Sequence, residues 1–184
     1  MKIAIDCDNT LHPWYWLARR EARKLGFEIP EAPKEYRFWD NNKELNQIVD
    51  ACFTNSNILS AIPYPGSVWA LKKLNDMGHT LDVVTSRHQR CFDATAAWLG
   101  NYYSGLIDHL YCVQGGKADC FKDRDYDIVI DDKPETLLMA LGQGRKAITL
   151  VHPWNIDLIR KSARIAGVYN WIDMLQVMKQ REWI

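Results

Sequence analysis

Residues 3–11 have the sequence Ile-Ala-Ile-Asp-Cys-Asp-Asn-Thr-Leu, and the rest of the chain is organised around them. The β-branched Ile3 and Ile5, followed by an abrupt change to polar residues, predict a short strand and not a helix. The two-residue period of a strand places Asp6 and Asp8 on the same side of the extended backbone. Two close carboxylates repel each other, and a hard cation such as Mg²⁺ would relieve that repulsion. The alternative is a solvated strand end that carries two unrelated acids.

Length and charge limit the classes of function. The chain has 184 residues, which suits one domain with an insertion, and 23 basic residues balance 23 acidic ones. This balance argues against binding to long nucleic acids or to an anionic membrane surface, whereas a small phosphate-bearing molecule needs only a local site. The sequence has no apolar run long enough to span a bilayer and no secretory signal, so we expect a cytoplasmic protein.

The cysteines support the same location. They are five in number and lack C-x-x-C spacing, which is typical of reduced, buried thiols in a cytoplasmic protein; they are Cys7, Cys52, Cys91, Cys112 and Cys120. Cys7 could act as a nucleophile, but the acids on either side would raise its pKa and disfavour the thiolate. A structural role for Cys7 is therefore the favoured interpretation.

A helical, aromatic-rich segment follows the first strand. Residues 14–25 and 43–53 have helical periodicity, and Gly26 ends the first of these helices. The segment ends at the turn Pro63-Tyr64-Pro65-Gly66. Most of its aromatic side chains are expected to pack in a core, although an insertion at the carboxyl end of a strand is well placed to cover a site.

The rest of the chain alternates between strands and helices. Apolar runs predict strands at 81–85, 109–113, 126–130 and 147–151, and helices at 68–77, 89–99, 135–141, 156–165 and 171–179. This alternation predicts an α/β fold with a parallel sheet.

Polar residues stand at the carboxyl ends of four predicted strands. Beside Asp6 and Asp8, they are Thr85 and Ser86, then Lys117, then Asp131 and Asp132. In a parallel sheet these ends lie along one edge, where open α/β sheets bind ligands. Taken singly, Thr85 or Ser86 could be a helix N-cap, and Lys117 could be an ordinary solvated lysine.

In this order, the four motifs resemble those of the haloacid dehalogenase (HAD) superfamily of phosphatases and phosphotransferases. Looser features resemble its 5′(3′)-deoxyribonucleotidases and their bacterial and phage relatives. These features are the helical insertion, the Pro-Gly before the helix that leads to Val-Thr-Ser-Arg, the Ile-Asp-Asp-Lys-Pro-Glu stretch, His152-Pro153-Trp154-Asn155 and the closing Trp171-Ile172 helix. One departure is Asn9, where many relatives carry glycine.

The resemblance implies a Rossmann-like three-layer α/β sandwich with a mainly parallel central sheet. Residues 1–10 and 65–184 would form the core. Residues 11–64 would form a small helical cap of the C1 type, inserted after the first strand.

The resemblance also implies roles for the acids. Asp6 would be the nucleophile that forms an aspartyl-phosphate. Asp8 would protonate the leaving oxygen and then activate water, which requires Asp6 ionised and Asp8 partly protonated. Mg²⁺ would be bound by the Asp6 carboxylate, the Asp8 backbone carbonyl and Asp131, with Asp132 as a ligand or a support for one.

Three further residues receive roles from the same resemblance. The Thr85 hydroxyl would donate to a phosphoryl oxygen, with Ser86 as its neighbour. Lys117 would offset charge on the phosphoryl group and on the nucleophile.

Substrate recognition rests on the insertion. Phe38, Trp39 and the run Trp14-Tyr15-Trp16 are candidates to stack on the base of a nucleoside monophosphate, with core packing as the alternative for each. Arg87 could reach a phosphate, a base carbonyl or only a surface carboxylate. A homodimer is compatible with the sequence.

Other functions stay open at this point. One is a HAD phosphatase that acts on another small phosphoester such as a sugar phosphate, and another is a non-catalytic HAD-like scaffold that binds a partner. A response-regulator receiver uses similar residues, but its paired acids and its phospho-acceptor come in the reverse order, so it is disfavoured.

Overall fold

The computed structural model of the chain describes residues 1–36 and 43–184, with side chains from residue 45 onward in the second segment. Six parallel strands form one sheet in the order β3-β2-β1-β4-β5-β6. They are β1 (Lys2–Ile5), β2 (Thr80–Thr85), β3 (His109–Cys112), β4 (Ile128–Ile130), β5 (Lys146–Leu150) and β6 (Ile165–Val168). In the register of the central pairs, Ile3 lies opposite Leu81 on one side and Ile128 on the other.

Helices connect the strands. Those in the described part of the chain are α1 (Trp14–Lys24), α2 (Lys43–Cys52), α3 (Asn55–Ser60), α4 (Ser67–Asp76), α5 (Phe92–Tyr103), α6 (Ala118–Arg124), α7 (Pro134–Gly142), α8 (Ile156–Lys161) and α9 (Trp171–Gln180). A short 3₁₀ turn at Gln89–Cys91 precedes α5, where the sequence predicted one continuous helix from residue 89.

Alternating side chains of the strands supply two apolar layers. Ile3 and Ile5 point into the larger cluster, which also contains side chains of α4, α5 and α9. Ala4 and Val84 point to the other face, against side chains of α6 and α7. Because both faces of the sheet are covered, the fold is the expected three-layer α/β sandwich, and that prediction is confirmed.

The edge strand β6 differs from the sequence prediction. Residues 156–165 were expected to form one helix, but α8 ends at Lys161 and Ile165 starts β6, which pairs with β5. A Cβ on Gly167 would lie 2.7 Å from Cγ2 of Ile159, so only glycine lets α8 pack this closely on β6. The strand is stabilised by pairing with β5, which no local sequence signal reports.

The helical segment after β1 has an apolar cluster of its own. The predicted helices at 14–25 and 43–53 correspond to α1 and α2, and these two pack together. Their buried side chains are Trp14, Leu17, Ala18, Ala22, Ile48 and Cys52. The division into a core and a cap at residues 11–64 stays a prediction.

In the described part of the chain, no helix is long and apolar enough to cross a membrane.

Candidate active site

Four strands deliver polar side chains to the carboxyl edge of the sheet. Asp6 directly follows β1, Thr85 ends β2, and Asp131 directly follows β4. Lys117 precedes α6, five residues beyond the end of β3. All four side chains are buried, although they are polar or charged. Such groups are stable inside a protein only when they compensate one another or bind a ligand.

Lys117 joins two of the acids. Its Nζ donates one hydrogen bond to Oδ1 of Asp6 and another, 2.6 Å long, to Oδ2 of Asp131. Oδ1 of Asp131 accepts from the backbone N–H of Lys133 at 2.9 Å. Burial disfavours the charge on Lys117, but the nearby Asp131 and Asp6 outweigh it and raise its pKa above the usual value. The ammonium therefore stays charged.

Three carboxylates crowd the same point. Asp6, Asp131 and Asp132 each offer an oxygen, and these oxygens lie within 4.8 Å of one another. Asp132 is fully buried, and neither of its oxygens accepts a hydrogen bond of good geometry, although the nearby Asn9 amide favours the ionised form. Burial and the charges of Asp6 and Asp131 raise the pKa of Asp132 well above its usual value.

One ammonium cannot balance three buried carboxylates, so the cluster must take up protons or a cation. Burial, partly opposed by Lys117, raises the pKa of Asp6 to about 7. The two oxygens of Asp132, which accept no hydrogen bond of good geometry, are ligand atoms that a hard cation prefers. The protein's own residues thus fit a divalent cation at this point.

Asp8 lies outside this cluster. Its Oδ2 accepts from Nε of Arg87 at 3.0 Å and its Oδ1 from Nη2 at 2.7 Å, which is a bidentate pair. Burial opposes ionisation of Asp8, but the charge and hydrogen bonds of Arg87 outweigh it and lower the pKa. The protein's own groups therefore favour the protonated form of Asp6, because it is buried, and the ionised form of Asp8, because the guanidinium lies on it. The expectation that Asp6 is ionised on the metal while Asp8 is partly protonated stays a prediction.

The acids open into a cavity of about 390 Å³. One wall carries the polar strand ends, including Thr85, Ser86 and Lys117. Other lining residues come from the helical segment, with Trp14 of α1, Val49 and Asp50 of α2, and also Tyr36 and Phe53. The segment after β1 therefore covers the polar edge of the sheet.

Hydrogen bonds to backbone carbonyls stabilise the loop after Asp8. Asn9 has φ 57°, in the left-handed region that asparagine and glycine tolerate best, which explains why asparagine can stand where many HAD proteins have glycine. The carbonyls of residues 9–11 accept hydrogen bonds from His152 Nε2, Trp171 Nε1 and the Tyr64 backbone N–H at 2.9, 3.0 and 3.0 Å. These three contacts fix the backbone next to the acids.

Known proteins resemble this chain at low sequence identity. No protein-family profile matches the chain. A curated protein of Oceanobacillus iheyensis is named "Putative nucleotidase". It is 23% identical to this chain over an alignment 188 residues long with gaps included, which covers 96% of this chain and 98% of that protein.

Two solved structures show the similarity of fold. A haloacid dehalogenase-like family hydrolase from Streptococcus pneumoniae has a TM-score of 0.70 at 18% identity, with 96% of this chain and 97% of that chain covered. The chain has the haloacid dehalogenase-like fold. A "putative phosphoglycolate phosphatase" from Lactobacillus delbrueckii has a TM-score of 0.66 at 12% identity, with the same coverage of both chains. The fold that the resemblance to the HAD superfamily implies is thus confirmed.

The HAD-like fold brings together most of the residues that the sequence singled out. The cavity is lined by Asp6, Asp8, Thr85, Ser86, Arg87, Lys117 and Asp131. Asp132 lies behind this wall and reaches the other acids from the protein interior.

The aromatic candidates are divided between two places. Phe38 and Trp39 lie outside the described residues. Trp14 lines the cavity, whereas Tyr15 and Trp16 line a second cavity of about 520 Å³. The Trp14-Tyr15-Trp16 run therefore does not face a ligand as one unit, because successive residues of a helix point in different directions.

Sequence reasoning missed several residues of the site. Tyr36 and Phe53 line the cavity but were not among the aromatic residues named as candidates to stack on a base. Lys133 also lines it, and its ammonium lies 5.5 Å from the centre of the Tyr36 ring. At the cavity wall Arg90 Nη2 donates to Asp50 Oδ1 at 2.7 Å, which joins α2 to the 3₁₀ turn. The position of Lys133 directly after the paired acids was the one available signal.

Proposed function

We propose that this chain is a Mg²⁺-dependent phosphomonoesterase that works through an aspartyl-phosphate on Asp6. The observation that carries the proposal is the buried cluster of Asp6, Asp131 and Asp132 with Lys117. This cluster lies at the ends of β1 and β4 and opens into the cavity. Burying three acids around one lysine destabilises the fold unless a cation is bound. A scaffold that only binds a partner has no evident need for such a cluster.

In this mechanism Asp6 attacks phosphorus, and the bond from phosphorus to the ester oxygen breaks. Asp8 gives a proton to the leaving oxygen and later takes one from the water that hydrolyses the aspartyl-phosphate. The hydrogen bonds from Arg87 favour the carboxylate form of Asp8, which is the form that the second step uses. The proton that Asp8 takes from the water in that step is the one that it gives to the leaving oxygen in the next turnover.

Asp6, Asp131 and Asp132 would hold Mg²⁺, together with the backbone carbonyl of Asp8. When bound, the cation would polarise phosphoryl oxygens and neutralise charge that develops on them. The lack of a hydrogen bond of good geometry at either oxygen of Asp132 supports a direct contact with the cation.

Two donors would face the phosphoryl group. Thr85 and Lys117 stand at neighbouring strand ends and line the same cavity, with Ser86 beside them. Each well-placed donor is typically worth about 2–4 kcal/mol in such a transition state.

Within this chemistry we favour a 5′(3′)-(deoxy)ribonucleotidase that acts on nucleoside monophosphates. The name of the Oceanobacillus protein supports it, and so does the aromatic wall that residues 11–64 contribute as a cap. Trp14, Tyr36 and Phe53 are the described rings that could stack on a base, while Phe38 and Trp39 stay predictions. A cytoplasmic location is supported by the five unpaired cysteines.

A second candidate is a phosphatase for another small phosphoester such as a sugar phosphate. The similarity in fold to a protein named as a phosphoglycolate phosphatase favours it. The same acids and lysine would do the chemistry, and only the groups on the cap would differ.

Phosphate release from a panel of nucleoside monophosphates and sugar phosphates tests both. It should be measured with and without Mg²⁺, and for the variant Asp6→Asn alongside the unchanged protein. Metal-dependent release from nucleoside monophosphates that disappears in Asp6→Asn supports the nucleotidase. Release from sugar phosphates alone refutes the substrate but keeps the chemistry, and no release from any ester refutes the proposed function.

A further inference from the structure

Arg87 is an unusual side chain because it is both charged and almost completely buried. It stands two residues beyond Thr85 and is 2% exposed. Arginine is almost never buried unless it is paired. Its guanidinium donates twice to Asp8 and once, from Nη1, to Oγ1 of Thr95 at 2.9 Å.

The position of the guanidinium is itself fixed. The Thr95 hydroxyl donates its proton to the Cys91 carbonyl at 2.7 Å, which leaves a lone pair for Arg87. The ring of Phe53 lies 5.7 Å from the central guanidinium carbon, so the planar group also has an aromatic contact from the segment after β1. Three elements of the fold therefore hold Arg87 in place.

The other neighbour of Asp8 cannot replace Arg87. Nδ1 of His12 lies 3.6 Å from Oδ1 of Asp8, but Nε2 donates to the Ile58 carbonyl at 3.3 Å. The proton of the neutral ring is thus on Nε2, and Nδ1 has none to give. The orientation of the Asp8 carboxylate depends on Arg87.

This orientation is what the second step of the proposed reaction requires. Left free, the Asp8 carboxylate could turn among several rotamers, since an aspartate side chain has two rotatable bonds. The bidentate contact fixes its plane and keeps both of its oxygens out of the three-acid cluster. Misplacing a catalytic group by about 1 Å can cost about 10²-fold in rate.

Building on the proposed function, we propose that Arg87 is a positioning residue that aims Asp8 at the water that hydrolyses the aspartyl-phosphate. In this step the water oxygen bonds to phosphorus, and the bond between phosphorus and the Asp6 oxygen breaks. The water's proton passes to the Asp8 carboxylate, Asp6 regains its carboxylate, and inorganic phosphate leaves. Arg87 acts only through Asp8 and touches neither the water nor the phosphoryl group.

The test separates formation of the aspartyl-phosphate from its hydrolysis. Rapid-quench measurements with an aryl phosphate and a nucleoside monophosphate follow release of the leaving group, and intact mass after acid quench measures phosphorylated Asp6. The variants are Arg87→Gln, Arg87→Lys and Thr95→Val. Arg160→Gln makes the same change at an exposed arginine of α8 and serves as the matched control.

We expect Arg87→Gln to slow hydrolysis by about 10²-fold, so that phosphorylated protein accumulates and a burst of leaving group precedes the steady state. Because hydrolysis then limits turnover, kcat becomes equal for both substrates. Arg87→Lys keeps the charge but not the fork, so it should show the same burst. Thr95→Val should show a smaller accumulation, and it decides the question if Arg87→Gln does not fold.

Two results would overturn the inference while leaving the proposed function intact. A rise in KM without accumulation of phosphorylated protein means that Arg87 binds the substrate's phosphate directly. A loss of activity that follows the loss of thermal stability from variant to variant, again without accumulation of phosphorylated protein, means that Arg87 only supports the fold. If the unchanged protein releases no phosphate and never becomes phosphorylated, the proposed function itself fails, and this inference fails with it.

Discussion

Replacing Lys117 with methionine removes the ammonium group that contacts both Asp6 and Asp131. Methionine keeps the length of the side chain, so the change isolates the charge. The three side chains are 5%, 7% and 2% exposed, and solvent therefore screens their interaction very little. Removing one partner of a buried ion pair costs about 3–5 kcal/mol, because the remaining charge is left without compensation.

Urea unfolding followed by circular dichroism measures this cost. In EDTA, we expect Lys117→Met to lower the free energy of unfolding by about 3–5 kcal/mol. Mg²⁺ should restore part of the loss, because the cation supplies positive charge at the same acids. At a concentration 100 times the dissociation constant, binding stabilises the folded state by about 2.7 kcal/mol.

Lys72→Met is the matched control. Lys72 pairs with Asp76 at 3.0 Å on the surface of α4, where the side chains are 64% and 47% exposed. We expect this variant to lose about 0–1 kcal/mol, with no response to Mg²⁺. If Lys117→Met in EDTA is no less stable than Lys72→Met, Lys117 does not compensate the buried acids, and the electrostatic account of the site is refuted.

Three further predictions concern the titration of Asp6, the packing of Gly167 and the hydrogen bond of Trp171. Because the pKa of Asp6 is raised from 3.8 to about 7, the folded metal-free protein keeps a proton that the unfolded chain has lost, and this stabilisation decreases as the pH rises through that range. In EDTA, Asp6→Asn should therefore gain stability relative to the unchanged protein by up to about 1.4 kcal/mol per pH unit between these values. A constant difference in urea midpoints would contradict this. Gly167→Ala should cost about 1–3 kcal/mol, because its Cβ would lie 2.7 Å from Ile159, and the additional change Ile159→Val should recover part of it in a double-mutant cycle. Trp171→Phe leaves the buried carbonyl of Thr10 without its donor, so thermal unfolding should show a loss of about 1–3 kcal/mol, which would be absent if water replaces the indole.

The sequence predicted much of this fold because the relevant signals are local. Alternating apolar residues report which side of a strand is buried, and glycine and proline report where elements end. The polar residues at four strand ends could be placed together, since parallel strands end at the same edge. Five of the six strands followed from these signals.

The missed features depend on contacts between distant residues. β6 is four residues long and contains Gly167, and it is a strand because β5 pairs with it. The sequence left three partners open for Arg87, which were a phosphate, a base carbonyl and a surface carboxylate. In the folded chain Arg87 meets Asp8, 79 positions away, and Thr95 of α5.

The chemical groups at the edge of the sheet could be listed from the sequence. How they share charge follows only from the folded chain, in which Lys117 lies between Asp6 and Asp131, Arg87 lies on Asp8, and Asp132 has no hydrogen-bonding partner of good geometry. The physical reason is that burial and the distance between charges set the strength of an electrostatic interaction. Both arise only when distant parts of the chain pack together.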